Sequence, residues 1–252
     1  MTVASFPQTE GTAVENALLG GRVRLRQPAK GYRAGMDAAL LGAAVEAGPG
    51  QRVIEAGCGA GGVLMQIAAR RPGAILTGLE RDPAMAALAR ENATLNGADA
   101  SIIEGDVAAG FRALDLPPFD WAISNPPFFD DPNALRAPAE GKRGAWMADD
   151  GLKAWTMFLL KSVREGGRIV VIHRADRLAD LLALLGETAG SFAVRGVHPH
   201  ADEPAKRVLV KAIKTGRAPL RLLPPLVLHD RSGPKHTAEA EAVLRGEAGL
   251  GW

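Results

Sequence analysis

Residues 51–62 read Gln-Arg-Val-Ile-Glu-Ala-Gly-Cys-Gly-Ala-Gly-Gly, a short apolar run that breaks into glycines, and the helical pattern of Val63 to Arg71 follows directly. A strand, a glycine-rich turn and a helix in succession form the first unit of a nucleotide-binding α/β sheet. In such a unit Gly57, Gly59 and Gly61 let the backbone pass close to a ligand above the strand's carboxyl end. The spacing is G-x-G-x-G, not the dinucleotide pattern G-x-G-x-x-G, and no Lys-Ser/Thr pair follows to make a P-loop. The unit takes its meaning from what lies downstream. Residues 73–80, GAILTGLE, predict a second strand that ends in an acid. A carboxylate at that place can accept from two adjacent ribose hydroxyls; the plainer role for Glu80 is to pair with Arg81 or to cap the helix beginning near Pro83. The next helix, 83–96, stops at Gly97, residues 100–106 (ASIIEGD) predict a third strand ending in Asp106, and 107–114 reads as helical.

A fourth apolar run, Phe119 to Ile123, leads into Ser124-Asn125-Pro126-Pro127-Phe128-Phe129. Two consecutive prolines remove two backbone donors, so a central strand cannot continue through them, yet their carbonyls remain free to accept. The turn therefore offers acceptors and an aromatic stacking face. Strands alternating with helices predict a mostly parallel sheet covered on both faces, with ligands at the strands' carboxyl ends, where Glu55, Glu80, Asp106 and Asn125 all fall. Residues 130–150 are long, polar and punctuated by Pro and Gly, and they carry Arg136, Lys142, Arg143 and Trp146. Directly after the Asn-Pro-Pro turn, such a loop is expected to grip substrate. A helix over 152–163, a strand over 168–173 and a helix over 175–185 come next. Strands near 192–197 and 207–213, with no helical pattern between them, predict a terminal antiparallel pair.

The flanks are basic. Residues 18–27, LLGGRVRLRQ, turn at Gly20-Gly21 and then alternate Val23 and Leu25 with Arg22, Arg24 and Arg26, a period-two strand with three arginines on one face. The bland reading is a charged edge strand; the sharper one is a ribbon that tracks a phosphate backbone. A loop over 28–37 containing Tyr32, Arg33 and Gly35 precedes a helix over 38–47, and Asp37 stands where its N-cap should be. The tail from Lys214 is basic before Glu239 and ends in a helix over 238–245.

Composition narrows the classes. At 252 residues and 47% apolar content the chain has ample material for a core, and its formal charge of +2 does not by itself require a nucleic-acid partner. The lone cysteine, Cys58, excludes an internal disulfide framework and a multi-cysteine zinc site, in keeping with a reducing cytoplasm. His173, His198 and His200 are not at metal-ligand spacing, so no metal is expected. The N-terminus lacks the pattern of a signal peptide, and no apolar run is long enough for a membrane span, so no membrane partner is expected. The expected division is an N-terminal extension over 1–47, a catalytic domain over 48–215 and a basic tail over 216–252 packed on that domain.

The turn VIEAGCGAGG (53–62), Glu80, Asp106 and SNPPF (124–128) together resemble class I S-adenosylmethionine-dependent methyltransferases of the amino-methylating type. More closely, QPAKGYRAGMDAALLGAAV (27–45), SNPPFF and RAPLRLLPPLVLHD (217–230) look like the bacterial family related to the adenine-N6 methyltransferase acting beside the anticodon of valine tRNA. The resemblance covers nearly the whole chain. It departs at Glu55, where aspartate is common, and at Cys58, a variable place in the turn. The Asn-Pro-Pro-aromatic motif also occurs in similar enzymes that methylate guanine N2 in ribosomal RNA, amino groups in DNA, or glutamine in release factors.

The resemblance implies a Rossmann-like α/β fold, a mostly parallel seven-stranded sheet with a terminal antiparallel strand and helices on both faces. It implies S-adenosylmethionine as cofactor and S-adenosylhomocysteine as product. Glu80, with Arg81 beside it, would take the ribose, and Asp106, with Val107, the adenine. The turn from Gly57 through Gly59 to Gly61 would take the methionine portion, Glu55 the ammonium group, and Gly35 and Asp37 would help close the pocket. Asn125, Pro126, Pro127 and Phe128 form the expected catalytic set, in which the Asn125 side chain and the Pro126 carbonyl accept the amine's two N–H groups and Phe128 stacks on the base. Arg22, Arg24, Arg26, Arg33, Arg136, Lys142, Arg143 and Trp146 are the expected substrate contacts. The partner implied is RNA, specifically tRNA, and the chain would act as a monomer or homodimer. A protein-glutamine or small-molecule methyltransferase would not need this cationic surround, and a non-enzymatic module would be expected to lose the rim acceptors.

Overall fold

The computed structural model describes residues 13–29, 35–128 and 148–252, with side chains in the last stretch described from 151 onward. Strand β3 (Arg52–Ala56), helix α2 (Gly62–Arg70), strand β4 (Ile75–Glu80), helix α3 (Pro83–Leu95) and strand β5 (Ala100–Glu104) carry out the alternation read from the sequence. The cap of α3 is Asp82, which accepts from the backbone N–H groups of Ala84 and Met85, so Glu80 is not spent on that task. Residues 107–114 do not make the expected helix. Val107–Ala109 and Phe111–Leu114 form two short 3-10 turns, because Gly110 between them sits at φ +78° and breaks any continuous helical path.

Strand β6 (Phe119–Ser124) lies on the other side of β3, followed outward by β7 (Val163–Arg174), with helix α4 (Ala148–Ser162) connecting them. Helix α5 (Leu178–Leu185) leads to β8 (Ala189–His198) and β9 (Arg207–Lys214), and β9 inserts antiparallel between β7 and β8. The expected terminal antiparallel pairing is present. The strand count differs from the expected seven: Arg221–Val227, expected to lie in a basic tail, forms β10 and pairs in parallel with β8, giving the order β10-β8-β9-β7-β6-β3-β4-β5. Pro224 and Pro225 fit there because β10 is the outermost strand, where no ladder donor is needed on the outer side, and the register shifts between Leu223 and Leu226.

Period-two alternation divides the apolar residues between two cores. Trp121, Ile123, Val170 and Ile172 face one side, where α1 (Met36–Ala43), α2 and α6 (Ala238–Arg245) bury Leu40, Leu41, Leu64 and Val243. Ala122, Ile169 and Val171 face the other, with Phe158 and Leu159 of α4 and Leu181 of α5. There Phe111 meets Phe119 and Phe158 edge-on at 6.0 and 5.9 Å between ring centroids.

The N-terminal hairpin, β1 (Ala13–Leu18) with β2 (Val23–Pro28), forms a separate two-stranded sheet. Its inner side chains Val23 and Leu25 are buried, as the alternation predicts. The far edge of β2 is satisfied by a helix. Asn96 Oδ1 accepts from the Arg24 N–H at 2.9 Å and its Nδ2 donates to the Arg24 carbonyl at 2.7 Å. One turn earlier Asn92 makes the same pair with Arg26, at 2.8 and 2.9 Å. Asn92 on α3 and Asn96 at its C-cap, four residues apart, thus stand in for a neighbouring strand, since each carboxamide presents an acceptor and a donor as a peptide does. Among the described residues no helix is long and apolar enough to cross a membrane, and no group of three or more His, Cys, Asp or Glu is placed to hold a metal ion.

Candidate active site

The rim at the carboxyl ends of β3, β4 and β6 is built around the glycine turn. The N–H groups of Gly57 and Cys58 both donate to the Leu79 carbonyl at the end of β4, at 2.8 and 3.0 Å, which folds the turn back over the sheet. Gly57, Gly59 and Gly61 adopt φ of +68°, +54° and +80°, a region side chains with a Cβ rarely enter. Gly57 has a second constraint: a Cβ there would lie 2.3 Å from Cη2 of Trp155 on α4. Cys58 is buried with its thiol against Gly78, where a Cβ would approach Sγ to 2.6 Å.

Glu80 organises the turn electrostatically. Its Oε2 accepts from the Gly59 N–H at 2.8 Å, and its Oε1 accepts from the N–H groups of Arg81 and Asp82 at 2.9 and 3.0 Å. A carboxylate has roughly four acceptor positions, so three backbone bonds leave capacity for one further donor. Asp106 accepts from the Ala108 N–H at 2.9 Å, lies 3.9 Å from the Arg81 guanidinium, and remains partly exposed at the end of β5. Val107 is buried behind it. Glu55 is 2% exposed and opens onto a cavity that is also lined by Gln27 of β2, Ala38 of α1, the turn residues Gly57, Cys58 and Ala60, and Asn125.

Asn125 reaches that cavity because β3 and β6 end in register. Ala56 pairs with Ser124, and the buried Ser124 hydroxyl donates to the Ala56 carbonyl at 2.9 Å. The glycine turn and the Asn-Pro-Pro turn therefore leave neighbouring strands side by side. Pro126 is buried, and Pro127 and Phe128 are half-buried. The Phe128 ring has the Arg207 guanidinium over it at 4.7 Å and the His173 ring edge-on at 5.4 Å. His173 is buried, and burial, reinforced by Arg177, Arg174 and Arg207, pushes its pKa down to about 4, so the imidazole is neutral at pH 7.

The structure brings Glu55, Gly57 and Asn125 onto one cavity and sets Glu80, Gly59, Arg81 and Asp106 along the same rim. Gly35 precedes α1 as its N-cap, a place expected of Asp37. Asp37 instead sits in the first turn, where its carboxylate meets Arg207 Nε at 3.0 Å, a stronger partner than a backbone amide. Arg22 lies before β2, not on its arginine face. Its guanidinium donates to the carbonyls of Arg245 and Gly246 at the end of α6, which have no intrahelical partners. Arg24 and Arg26 are exposed and share Glu15, at 2.8 and 3.5 Å. Arg33, Phe129, Arg136, Lys142, Arg143 and Trp146 lie outside the described residues. Gln27, Trp155, His173 and Arg207 were missed by sequence reasoning. Only Gln27, a polar residue at an inward position of an otherwise apolar strand face, left a readable signal.

A family model described as the methyltransferase small domain matches residues 34–138, which take in the glycine turn, the acids Glu55, Glu80 and Asp106, and the Asn-Pro-Pro-Phe motif. The solved structure of a protein described as a predicted O-methyltransferase from Agrobacterium tumefaciens superposes with a TM-score of 0.68 at 28% identity, covering 85% of this chain and 98% of that one. The chain is a class I S-adenosylmethionine-dependent methyltransferase. Among curated relatives, the methyltransferase is 29% identical to a tRNA1(Val) (adenine(37)-N6)-methyltransferase of Dickeya chrysanthemi over 76% of each chain. It is 38% identical to a release factor glutamine methyltransferase of Deinococcus radiodurans, over 35% of this chain and only 30% of that protein. The rim suits the cofactor of this methyltransferase: a turn in which Gly57, Gly59 and Gly61 carry no Cβ, a carboxylate with one acceptor position left, and polar Gln27, Glu55 and Asn125 around the cavity between them.

Proposed function

We propose that the methyltransferase methylates an exocyclic amine, adenine N6 in a tRNA. The observation that carries this reading is that Asn125 opens onto the same cavity as the glycine turn, so an amine held by the Asn-Pro-Pro turn faces the place where the cofactor would lie. S-adenosylmethionine, when bound, supplies a methyl group on a positively charged sulfur that leaves as a neutral thioether. The chain's own residues address the other reactant. Adenine N6 is a weak nucleophile because its lone pair is delocalised into the ring. Asn125 Oδ1 and the Pro126 carbonyl accept from its two N–H bonds, which favours a pyramidal nitrogen and frees the lone pair; the proton it sheds after methylation passes to solvent. Phe128 stacks on the extruded base, an interaction worth roughly 1 to 3 kcal/mol. Gly57, Gly59 and Gly61 admit the methionine portion of the cofactor, Glu55 its ammonium group, and Glu80 and Asp106, flanked by Arg81 and Val107, its ribose and adenine. Position and electrostatics do the rest, and no strong base is needed.

Arg24 and Arg26, with the tRNA-modifying relatives, support an RNA target over a protein amide. On this reading the hairpin and the C-terminal segment belong to the same catalytic unit. The test is nucleoside mass spectrometry of tRNA and rRNA from cells with and without the protein. Loss of N6-methyladenosine from tRNA is expected. Loss of N2-methylguanosine from rRNA, or unchanged RNA with a methyl label appearing on a release factor, would overturn the adenine assignment.

A further inference from the structure

We infer that Arg207 is a positioning residue that couples the cofactor side of the site to the aromatic ring of the target clamp. Arg207 opens β9, and its side chain bridges two segments far apart in sequence. Its Nε meets Asp37 Oδ2 at 3.0 Å, and its guanidinium carbon lies 4.7 Å from the centre of the Phe128 ring. Both members of the ion pair are partly buried, with side-chain exposures of 30% and 22%, so the contact is shielded from solvent more than a surface pair. Asp37 belongs to the first turn of α1, and the next residue, Ala38, lines the cofactor cavity. Phe128 ends the Asn-Pro-Pro-Phe turn, whose first member lines the same cavity.

The guanidinium thus occupies one face of the Phe128 ring, and the His173 imidazole packs against the ring at an interplanar angle of 80°. On this reading a stacked base takes the face that Arg207 leaves. A guanidinium held by the Asp37 carboxylate at Nε and by the Lys206 carbonyl at 3.2 Å, and stacked on an aromatic ring, has restricted freedom. Any displacement of the first turn of α1 on filling of the cofactor cavity would therefore be passed to Phe128, and by linkage a base stacked on Phe128 would favour the same placement of α1. The functional part of this inference rests on the reading of Phe128 as the stacking surface.

The test uses the full-length protein labelled with 4-fluorophenylalanine, with the residue-128 fluorine resonance assigned by its loss in Phe128→Leu. Saturating S-adenosylhomocysteine is expected to shift that resonance in the unsubstituted protein. In Arg207→Met the shift should disappear although S-adenosylhomocysteine still binds by calorimetry, and Arg207→Lys, which keeps the charge but not the planar fork, should restore part of it. Asp37→Asn, read at saturating ligand, serves as a second variant should Arg207→Met fold poorly. The inference is overturned if the resonance does not respond in the unsubstituted protein, or if it responds as fully in Arg207→Met or Asp37→Asn as in the unsubstituted protein. Methyl transfer to total tRNA gives a separate readout: Arg207→Met should lower kcat about tenfold and, with tRNA saturating, raise the KM for S-adenosylmethionine, while its affinity without RNA stays nearly constant. If RNA is not methylated at all but the fluorine shift behaves as expected, the substrate assignment falls and the coupling stands.

Discussion

At the scale of single residues, the proposed chemistry depends on acceptors placed by the ends of two strands. Asn125→Ala removes one of the two acceptors for the amine and is expected to lower kcat by about 10²-fold, comparable to the loss of one preorganised polar group elsewhere, when followed by methyl incorporation into tRNA. His173 gives a stability prediction of definite sign. Its folded pKa of about 4 lies below the ordinary 6.5, so its contribution is complete above pH 6.5 and is lost as the pH falls toward 4. In that window the native state loses stability at up to about 1.4 kcal/mol per pH unit from this group. Urea denaturation at pH 7 and pH 5 should show a smaller difference for His173→Leu than for the unsubstituted protein. The Asn-Pro-Pro-Phe motif was legible because its chemistry is contiguous in sequence. The Arg207 and His173 contacts were not, because they depend on β9 inserting next to β7, which places Arg207 opposite Arg174 and next to His173's partner Val208.

At the scale of elements, the strand–turn–helix unit and the alternation after it were readable because glycine punctuation and apolar periodicity are local signals. The asparagine clamp on β2 was not readable. Asn92 and Asn96 look in sequence like ordinary polar residues on a helix, and only the placement of β2 against α3 reveals their role. Asn92 carries more, since its Nδ2 also donates to the Ala60 carbonyl in the glycine turn at 2.9 Å. Asn92→Ala would leave three backbone groups without partners and is expected to cost about 3 kcal/mol, against about 1 kcal/mol for the more exposed Asn96→Ala. Urea denaturation gives those values, and amide exchange over residues 23–28 should accelerate in both variants.

At the scale of the whole molecule, the two ends of the described chain are locked together across the face that carries α1 and α2. Arg22 from the hairpin and Arg70 from α2 both donate to carbonyls around the end of α6, cations placed where the helix dipole favours them. Beyond it the Leu250 N–H donates to the Ala43 carbonyl at 3.0 Å and Trp252 Nε1 to the Ala44 carbonyl at 2.7 Å. Truncation after Gly246 leaves every proposed cofactor and target contact in place, yet it is expected to lower the Tm by about 5 to 10 °C. Because α1 loses its outer anchor, calorimetry should also show weaker S-adenosylmethionine binding. The tail's charges were visible in the sequence and it was read as packed on the catalytic domain, whereas the sheet's eighth strand within it was hidden by two prolines that argue against a strand anywhere but an edge. The Ser124–Ala56 register has a consequence for how such a molecule could diverge. It makes the sheet a ruler: the span from donor pocket to acceptor clamp is the spacing of two hydrogen-bonded strands, roughly 4.8 Å, and is not set by any loop. Exchange of the surrounding loops could then redirect the enzyme to a different amine while the distance the methyl group travels stays the same.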